Sequence, residues 1–363
     1  RSPKTGGKPP LHIRSKDRGR HEMKLKDFHY DLPQSRIAQH PCAQRDHARM
    51  MVLDRREARL QHRHFFDFPE FLQEGDCLVI NDSKVIPARL IGTKETGSRI
   101  EVLLLSRRPD PRRPSEDVTA ASPPAEPGAE ETWEVLLKPG KRVSIGTKIF
   151  FGDSNWASVR ERVSEKKWRV AFFTALPFDL FLQQFGKAPL PPYIKRKRED
   201  GPAPQDRERY QTIYARHPGS VAAPTAGFHF SETQFRALQD LGVAIAPVTL
   251  HVGFGTFTPI EAENVEDHVM EKESFSLSPE SADRINSARR VIAVGTTSTR
   301  VLESASDGHG RVRPMASSSS LFIYPGYRFR RVDALLTNFH LPQSSLFLLV
   351  CAFAGRDLIF KAY

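Results

Sequence analysis

The sequence predicts an α/β fold, in which a large α/β domain with a mixed or parallel sheet carries a small inserted β-barrel. Two observations support this prediction. From about residue 177 onward, helical and strand patterns alternate, which is typical of parallel strands connected by helices. Between residues 89 and 177, short apolar segments follow one another with turns between them and no helical period, which is typical of a small barrel.

The chain of 363 residues has room for two domains. We expect residues 23–88 and 178–363 to form the large α/β catalytic domain, because the apolar strand "CLVI" (77–80) belongs with the later strands. Residues 89–177 are predicted to form the barrel domain between these two segments. Residues 106–131 interrupt the barrel pattern with six prolines and few large apolar side chains, a composition that buries too little surface to order itself.

Individual elements follow from short local signals. The predicted barrel strands are "IEVLLL" (100–105), "WEVLL" (133–137), "TKIFF" (147–151) and "WRVAFF" (168–173). In the α/β part, Ser231 and Gln234 form a capping-box signature at a helix start, and Gly242 stands at the matching stop. The remaining expected elements are a strand at 243–252, a helix at 279–290, a buried strand at 291–295, a strand at 334–342 and a helix that begins at Ser344.

The formal net charge of +11 points to an anionic partner. Residues 1–22 hold seven Lys or Arg against Asp17 and Glu22 and are rich in Gly and Pro, so we expect a disordered basic N-terminal extension before Met23. The rest of the chain still carries +6. A basic body attracts nucleic acid by counterion release, although a merely basic surface has the same charge.

The composition argues against several classes of protein. The longest apolar run, residues 346–354, is about half the ~20 residues that a membrane span needs, and no signal-peptide stretch opens the chain. Cys42, Cys77 and Cys351 are far apart and form no CxxC pair, and no HExxH motif occurs. We therefore expect no membrane partner, no disulfide framework and no metal site, and a location in the reducing cytoplasm.

Polar residues gather directly after four predicted strands. The strand ends supply Asn81, Asp82, Ser83 and Lys84; His251, Gly253 and Gly255; Thr296, Thr297, Ser298 and Arg300; and Thr337, Asn338 and His340. Open α/β sheets bind ligands beyond the carboxyl ends of their strands. The clustering therefore predicts a binding site at this edge of the sheet.

Each of these signals has a structural alternative. The segment "GTTSTR" (295–300) is either a capped helix start or an anion site formed by free N–H groups and hydroxyls. The segment "GFGT" does not match GxGxxG, which argues against a dinucleotide loop. Glu266 and Asp267 lie next to His268 in the sequence. These residues either form an acid–base group or belong to a solvated loop. The basic run "KRKR" (195–198) is either a solvated face or a phosphate-binding strip.

Eight segments, in order between Met23 and Tyr363, resemble one known family. They are "NDSKVIPARL", "PLPPYIKR", "AAPTAGFHF", "VTLHVGFGTF", "EDHVMEKE", "VIAVGTTSTRVLES", "LFIYPGY" and "LLTNFHLPQSSL". With these motifs the sequence is similar to the S-adenosylmethionine:tRNA ribosyltransferase-isomerase family of queuosine biosynthesis. The resemblance implies the same architecture as the residue patterns, a large α/β domain with a small β-barrel.

The resemblance also implies an activity. Members of the family transfer and isomerise the ribosyl part of S-adenosylmethionine onto 7-aminomethyl-7-deazaguanine at the wobble position of certain tRNAs. The product is epoxyqueuosine-tRNA, and adenine and methionine are released. The expected partners are therefore tRNA and S-adenosylmethionine, which is a consumed co-substrate, with no resident cofactor. We further expect a monomer.

This chemistry directs attention to a base. Removal of a proton next to the sulfonium, and attack by a neutral amine, need a base near neutral pH, which suits histidine. The candidates for this base are His229, His251 and His268, followed by Asp267.

The residues expected to bind substrate are Asn81, Arg89, Thr225, Gly253, Gly255, Thr296, Thr297, Ser298, Arg300, Asn338 and His340. Residues 223–230, "APTAGFHF", would form a rigid edge that presents Thr225 and His229. Lys195, Arg196, Lys197 and Arg198 would bind tRNA.

Departures from the family pattern define the alternative functions. The chain ends at "AGRDLIFKAY", whereas family members usually continue through another helix and a strand with an "FSxGDAM"-like motif. "SSSSLFIYPGY" (317–327) replaces a more usual lead-in that bears Gly, Thr and Asp. The first alternative is a catalytically eroded relative that only binds RNA. The second, an S-adenosylmethionine methyltransferase, is disfavoured because no glycine-rich loop follows the first strand.

Overall fold

The structure, a computed structural model, describes residues 22–108, 130–196 and 204–363. Residues 1–21 of the expected basic extension and residues 109–129 of the Pro-rich insertion lie outside the described residues. Lys197 and Arg198 of the expected tRNA-binding run also lie outside them.

Strands dominate the first half of the described chain and alternate with helices in the second half. The strands are β1 (Arg49–Asp54), β2 (Arg59–His64), β3 (Asp76–Asn81), β4 (Ser83–Val85), β5 (Arg89–Lys94), β6 (Arg99–Arg107), β7 (Glu131–Lys138), β8 (Lys148–Phe150), β9 (Trp156–Arg162), β10 (Lys167–Phe173), β11 (His217–Ser220), β12 (Ala244–Leu250), β13 (Glu273–Leu277), β14 (Arg290–Val294), β15 (Met315–Ser319) and β16 (Ala334–Leu336). The helices are α1 (Phe178–Phe185), α2 (Pro204–Arg209), α3 (Glu232–Asp240), α4 (Pro279–Ser287), α5 (Gly295–Ala305), α6 (Ser345–Ala354) and α7 (Arg356–Ala362). Short 3-10 helices include Arg45–His47, Phe65–Phe71, Thr225–His229, Phe254–Phe257 and Val265–Asp267.

A mixed sheet with the strand order β15-β13-β12-β3-β14-β16 forms the centre of the α/β part. The four strands β12, β3, β14 and β16 run parallel to one another. β13 and β15 extend the sheet in antiparallel fashion beyond β12. β3 is buried along its whole length because it lies between two parallel neighbours, which explains why its sequence is a continuous apolar run.

β5 to β10 close into an antiparallel barrel with the order β10-β7-β6-β5-β8-β9. Alternate residues of β6, Ile100, Val102 and Leu104, are fully buried in the barrel core beside Val135 and Phe172. This alternation follows from the two-residue period of a strand. The mixed sheet and the barrel inserted between β4 and α1 confirm the predicted fold class.

The helix signals in the sequence have the expected structural basis. The N–H of Gln234 donates to Ser231 Oγ at 3.3 Å, and the N–H of Phe347 donates to Ser344 Oγ at 3.2 Å. Both serines therefore cap their helices. Gly242 follows α3 with φ of +79°, a conformation that glycine adopts without a steric penalty.

Several boundaries differ from the sequence-based expectation. The helix predicted to run to residue 290 ends at Ser287, because Arg290 already pairs with β3 as the first residue of β14. The strand expected at 334–342 is only the three residues of β16. The β1–β2 hairpin was not predicted, since β2 is mostly polar and partly exposed and lacks an apolar alternation.

Candidate active site

Four strand ends meet along one edge of the mixed sheet, because β12, β3, β14 and β16 are parallel. The residues that follow these strands are, in sheet order, His251, Asp82, Gly295 and Thr337. Adjacent strands lie roughly 4.8 Å apart, so the row spans on the order of 14 Å. The structure thus brings the polar residues singled out after these strands to one edge.

A cavity of about 1010 Å³ lies between this edge and the barrel. Its aromatic walls include Trp133 of β7, Phe178 of α1 and Tyr210. Its charged walls include Lys84, Arg107, Arg108, Glu131, Glu134, Lys167, Arg207, Arg216, Glu271, Lys272 and Glu273. The volume reaches the upper end of the usual range for small-molecule sites, roughly 300–1000 Å³. The cavity is therefore large enough for a nucleoside-sized ligand.

His251 is the catalytic candidate that lines this cavity. Its backbone N–H donates to the Ser274 carbonyl at 3.0 Å, which ties the residue to β13. Within the described part of the chain, its buried Nδ1 has no hydrogen-bond partner. Burial, and secondarily the nearby His217, lowers the pKa of His251 below its ordinary value of 6.5. The imidazole is therefore neutral at pH 7.

Glu273 connects the cavity wall to a buried ion pair. One carboxylate oxygen accepts the Gly253 N–H at 2.8 Å, and the other pairs with the guanidinium of Arg300. Both side chains of the pair are more than nine-tenths buried, and burial lowers the pKa of Arg300 to about 10. Gly255 lies beside the Glu271 carboxylate in the 3-10 helix that follows. The structure thus places Arg300 behind the cavity wall, as the counter-ion of Glu273.

The first turn of α5 lies at the same edge, two strands away from His251. Ser298 Oγ donates to the Val294 carbonyl at 2.8 Å, so this hydroxyl is used within the helix. Thr297 Oγ1 is buried and has no hydrogen-bond partner among the described residues. Thr296 is buried beside it. The first N–H groups of a helix have no partner within the helix, and the Thr297 hydroxyl lies beside them. Thr296, Thr297 and Ser298 are not among the residues that line the cavity.

Thr225 and Asn338 approach each other at the far end of the edge. Thr225 Oγ1 donates to Asn338 Oδ1 at 2.7 Å. Ala226, the next residue, lies beside Gly295 at the start of α5. The 3-10 helix Thr225–His229 therefore crosses the ends of β14 and β16.

His229 lies at the end of that 3-10 helix and packs against Phe65, outside the cavity. Its ring centroid lies 5.3 Å from that of Phe65, and burial lowers its pKa. The guanidinium of Arg45 donates to the Phe228 carbonyl at 3.0 Å. Gly227 is required because a Cβ there would clash with the buried hydroxyl of Tyr214. His229 is not among the residues that line the cavity.

His340 follows β16 but faces the interior. Its Nε2 lies 3.1 Å from Thr337 Oγ1 and its Nδ1 lies 3.1 Å from Tyr363 Oη. Tyr30 donates to its carbonyl oxygen. Burial lowers the pKa of His340 to about 3. Both ring nitrogens are thus occupied by residues of this chain.

Asp82 is a buried carboxylate that the list of expected site residues omitted. Thr249 Oγ1 donates to it at 2.6 Å, and His217 Nε2 lies 3.5 Å away. Burial raises the pKa of Asp82 above its ordinary value. Asn81, before it, is used structurally, because its side chain bonds both backbone groups of Leu250 at 3.0 Å. The signal for Asp82 was present, since it directly follows the apolar strand.

The remaining candidates lie away from the cavity lining. Asp267 accepts a hydrogen bond from Asn264 at 3.0 Å on an exposed turn. The ring centroid of His268 lies 5.0 Å from that of Phe322. Burial also lowers the pKa of His268. Arg89 pairs with Glu101 on the barrel at 2.8 Å.

The described part of the basic run is engaged with neighbouring residues. The N–H of Lys195 donates to Gln39 Oε1 at 2.7 Å. The Arg196 guanidinium bonds both oxygens of Asp206, at 2.9 and 3.0 Å. This bidentate pair anchors the start of the run to α2.

No group of three His, Cys, Asp or Glu side chains in the described ranges is arranged to hold a metal ion. In the same ranges, no helix is long and apolar enough to cross a membrane.

The fold and the cavity together define an α/β protein with a cavity of charged and aromatic walls at the carboxyl edge of its sheet, the place where open α/β sheets bind ligands. Comparison of the sequence with known families identifies the family within this class. Residues 25–363 match the family model described as queuosine biosynthesis protein, and the chain belongs to that family.

Named relatives cover almost the whole chain. A protein of Syntrophus aciditrophicus called S-adenosylmethionine:tRNA ribosyltransferase-isomerase is 72% identical over 94% of each chain. A protein of the same name from Acetivibrio thermocellus is 47% identical over 94% of each chain. The crystal structure of an S-adenosylmethionine tRNA ribosyltransferase from Thermotoga maritima is 31% identical over 93% of each chain, with a TM-score of 0.47.

Proposed function

We propose that this protein is an S-adenosylmethionine:tRNA ribosyltransferase-isomerase. In this reaction the ribosyl part of S-adenosylmethionine is transferred and isomerised onto 7-aminomethyl-7-deazaguanine at the tRNA wobble position. Epoxyqueuosine-tRNA forms, and adenine and methionine leave. The relatives that carry this name support the proposal over the full length of the described fold.

The single structural observation that supports it best is a pair of unsatisfied polar atoms along one sheet edge. Among the described residues, His251 Nδ1 and Thr297 Oγ1 are buried without a hydrogen-bond partner. They are two of ten such side-chain atoms in the described residues, and these two follow strands of the same sheet edge, where a ligand can satisfy both. The two follow β12 and β14, which are separated by β3, so they lie on the order of 10 Å apart. One extended molecule with a polar group at each end can reach both.

We assign the Thr297 position and the His251 position on this sheet edge to the two ends of S-adenosylmethionine. The start of α5, with Thr297 and the N–H groups of its first turn, would bind the carboxylate of the methionine part. Thr225 and Asn338 would close that end. The ribosyl and adenine parts would then extend toward His251 and the aromatic wall of the cavity.

His251 would act as the base. The sulfonium acidifies the hydrogens on its neighbouring carbons, and neutral His251 would take a proton from the 5′ carbon of the ribosyl group. The electron pair left on that carbon would form a double bond to C4′ as the C4′–O bond of the ring breaks. The freed oxygen would form a carbonyl at C1′ as the C1′–N bond breaks, and adenine would leave and take up a proton. The neutral amine of the modified base would attack the sugar, and epoxide formation would release methionine. The modified base bound in the mouth of the cavity would exclude water, which otherwise intercepts the activated sugar.

The other assignments follow from the positions of the side chains. His340 would support the fold, because Thr337 and Tyr363 occupy its ring nitrogens. Lys84, Arg216 and Lys272 on the cavity wall would attract the tRNA backbone together with the basic run at 195–198. With tRNA and S-adenosylmethionine as substrates, we expect a cytoplasmic monomer that needs no resident cofactor.

The test is adenine release in the presence of tRNA that carries the aminomethyl-deazaguanine base. The proposal predicts adenine only when both substrates are present, with one methionine formed per adenine. Binding of tRNA without adenine release would contradict it and would instead support a non-catalytic RNA-binding relative. Methylated RNA with S-adenosylhomocysteine would identify a methyltransferase.

A further inference from the structure

Three aromatic side chains lie side by side on the outer face of the barrel. Phe150 of β8 pairs with Trp156 of β9, and Trp156 in turn pairs with Phe173 of β10. Directly opposed residues on antiparallel strands point to the same face. Their chain neighbours Ile149, Ala157 and Phe172 are fully buried in the barrel core, so the three aromatic rings face outward. We call this set the aromatic face.

The aromatic face is partly exposed to solvent. The Trp156 and Phe173 rings are stacked, with centroids 4.2 Å apart and an interplanar angle of 16°. Both side chains are half-buried, and Phe150 beside them is 37% exposed. The protein's other tryptophans, Trp133 and Trp168, are buried. The exposure of the Trp156 pair is therefore not a general property of the barrel's aromatic residues.

Cations accompany these rings. Lys148 Nζ lies 5.5 Å from the Trp156 ring centroid, and the Arg160 guanidinium lies 5.6 Å from that of Phe173. Glu130 approaches Arg160 only to 3.6 Å, and both side chains are solvent-accessible. Aromatic rings interleaved with cations are the chemistry with which proteins bind single-stranded nucleic acid, because bases stack on the rings while cations neutralise the phosphates.

We infer that the aromatic face binds unpaired bases of the tRNA loop that carries the reacting base. This inference rests on the proposed function, which supplies tRNA as the substrate. A base that stacks on Trp156 or Phe173 would displace Lys148 or Arg160 from the ring, and the released cation would pair with the adjacent phosphate. A stable protein partner would need an interface of roughly 800 Å² on each side, more than three side chains provide, and Lys, which accompanies these rings as Lys148, is depleted in protein–protein interfaces.

The distance between the aromatic face and the cavity suits one RNA loop. Lys167, the first residue of β10, lines the cavity, and Phe173 is the last residue of the same strand. Glu131, which also lines the cavity, pairs with Phe172, the chain neighbour of Phe173. The lining therefore begins beside the aromatic face and reaches Lys167 roughly 20 Å further along β10, a span of about six stacked nucleotides at 3.4 Å each. A loop whose reacting base enters the cavity can therefore lay its neighbouring bases on the aromatic face.

Trp156 makes the inference measurable in the full-length protein. We expect an anticodon stem-loop RNA to quench the tryptophan emission of the wild type, and Trp156→Phe to abolish most of the quenching. Trp156→Ala/Phe173→Ala should weaken stem-loop binding at least about tenfold and raise the KM for tRNA, with kcat at saturating tRNA retained. Trp156→Phe should restore most of the affinity, because it keeps a ring for stacking.

Leu241→Ala is the matched control. Leu241 is 40% exposed and lies before β12, at the opposite edge of the sheet from the cavity. The Leu241→Ala variant should bind RNA with the wild-type affinity.

Two outcomes would overturn the inference. One is wild-type RNA affinity in a folded Trp156→Ala/Phe173→Ala variant. If that variant keeps its RNA affinity but no longer associates with itself, the aromatic face is a contact between copies of the protein and not an RNA site. The other, decisive even when the double variant does not fold, is wild-type emission that the stem-loop leaves unchanged. Failure of the proposed function has a different signature, since a wild type that releases no adenine can still show Trp156-dependent RNA binding.

Discussion

His251 and His340 follow two parallel strands of one sheet, yet they stand in opposite environments. His251 lines the cavity and keeps a buried ring nitrogen without a partner among the described residues. His340 has Thr337 and Tyr363 at 3.1 Å from its two ring nitrogens. Burial depresses the pKa of both residues, so a shifted pKa does not distinguish them. The difference lies in whether the chain itself satisfies the imidazole.

The comparison separates two uses of a histidine at a strand end. A satisfied, fully buried imidazole holds loops together, as Asn81 does at the end of β3. An unsatisfied imidazole in a cavity wall is available to a substrate. The following predictions test this separation, beginning with the largest expected effect.

Substitution of His251 should have the largest effect on turnover. His251→Gln keeps a polar side chain of similar reach but removes the base, and general-base catalysis contributes roughly 100- to 10,000-fold. We expect kcat for adenine release to fall by about this factor. The dissociation constant for S-adenosylmethionine, measured by calorimetry, should stay within about threefold of the wild-type value. A loss of binding equal to the loss of kcat would place His251 in substrate binding instead.

Substitution of Arg300 should affect mainly stability. Arg300→Met leaves the Glu273 carboxylate buried without its counter-ion, which costs about 3–5 kcal/mol of unfolding free energy. Urea denaturation measures this loss. Arg300→Met/Glu273→Gln removes both charges and should recover part of the stability. An Arg300→Met protein of wild-type stability that no longer binds S-adenosylmethionine would return Arg300 to the substrate site.

Substitution of His340 should lower stability but not turnover. His340→Gln loses the contacts with Thr337 and Tyr363, and we expect about 1–3 kcal/mol of destabilisation at pH 7. The pKa of His340 is about 3 in the folded state, below the ordinary 6.5, so folding favours the neutral ring. The stability that depends on this neutral ring is present above pH 6.5. It falls by about 1.4 kcal/mol per pH unit between pH 6.5 and pH 3.

The wild type and His340→Gln should therefore converge in stability as the pH falls from 7 to 5. Parallel urea titrations at several pH values measure this convergence. A stability difference that does not change with pH would mean that His340 is already accessible to protons in the folded protein.

Substitution of Thr297 should have the smallest of these effects. Thr297→Val removes a buried hydroxyl that has no partner among the described residues, so the unfolding free energy should stay the same or rise slightly. If the hydroxyl binds the carboxylate of S-adenosylmethionine, the KM for this substrate should rise roughly tenfold. Thr299→Val is a matched control, because Thr299 Oγ1 already donates to the Gly295 carbonyl at 3.1 Å. Equal KM values for both variants would remove Thr297 from the site.

The sequence predicted where each strand ends, but it did not predict which groups surround the side chains that follow these ends. The apolar run of β3, the capping serines and the barrel alternation depend on neighbouring residues, and these local signals were sufficient for the fold class. The partners of His340 and Arg300 are distant in sequence, Tyr363 and Glu273, so no local pattern indicated that these side chains were already satisfied. The cavity itself depends on how the barrel meets the sheet edge, and no local pattern around Trp133 and Glu134 indicated that they line the same cavity as His251.

The most direct test of the separation between His251 and His340 is proton release from the 5′ carbon of S-adenosylmethionine. S-adenosylmethionine labelled with tritium at that carbon would be incubated with modified tRNA and each protein, and tritium in water would be followed together with adenine. We predict that the wild type and His340→Gln release both, and that His251→Gln binds the substrate but releases neither. Tritium release by His251→Gln at the wild-type rate, or its loss in folded His340→Gln alone, would contradict the assignment of the base.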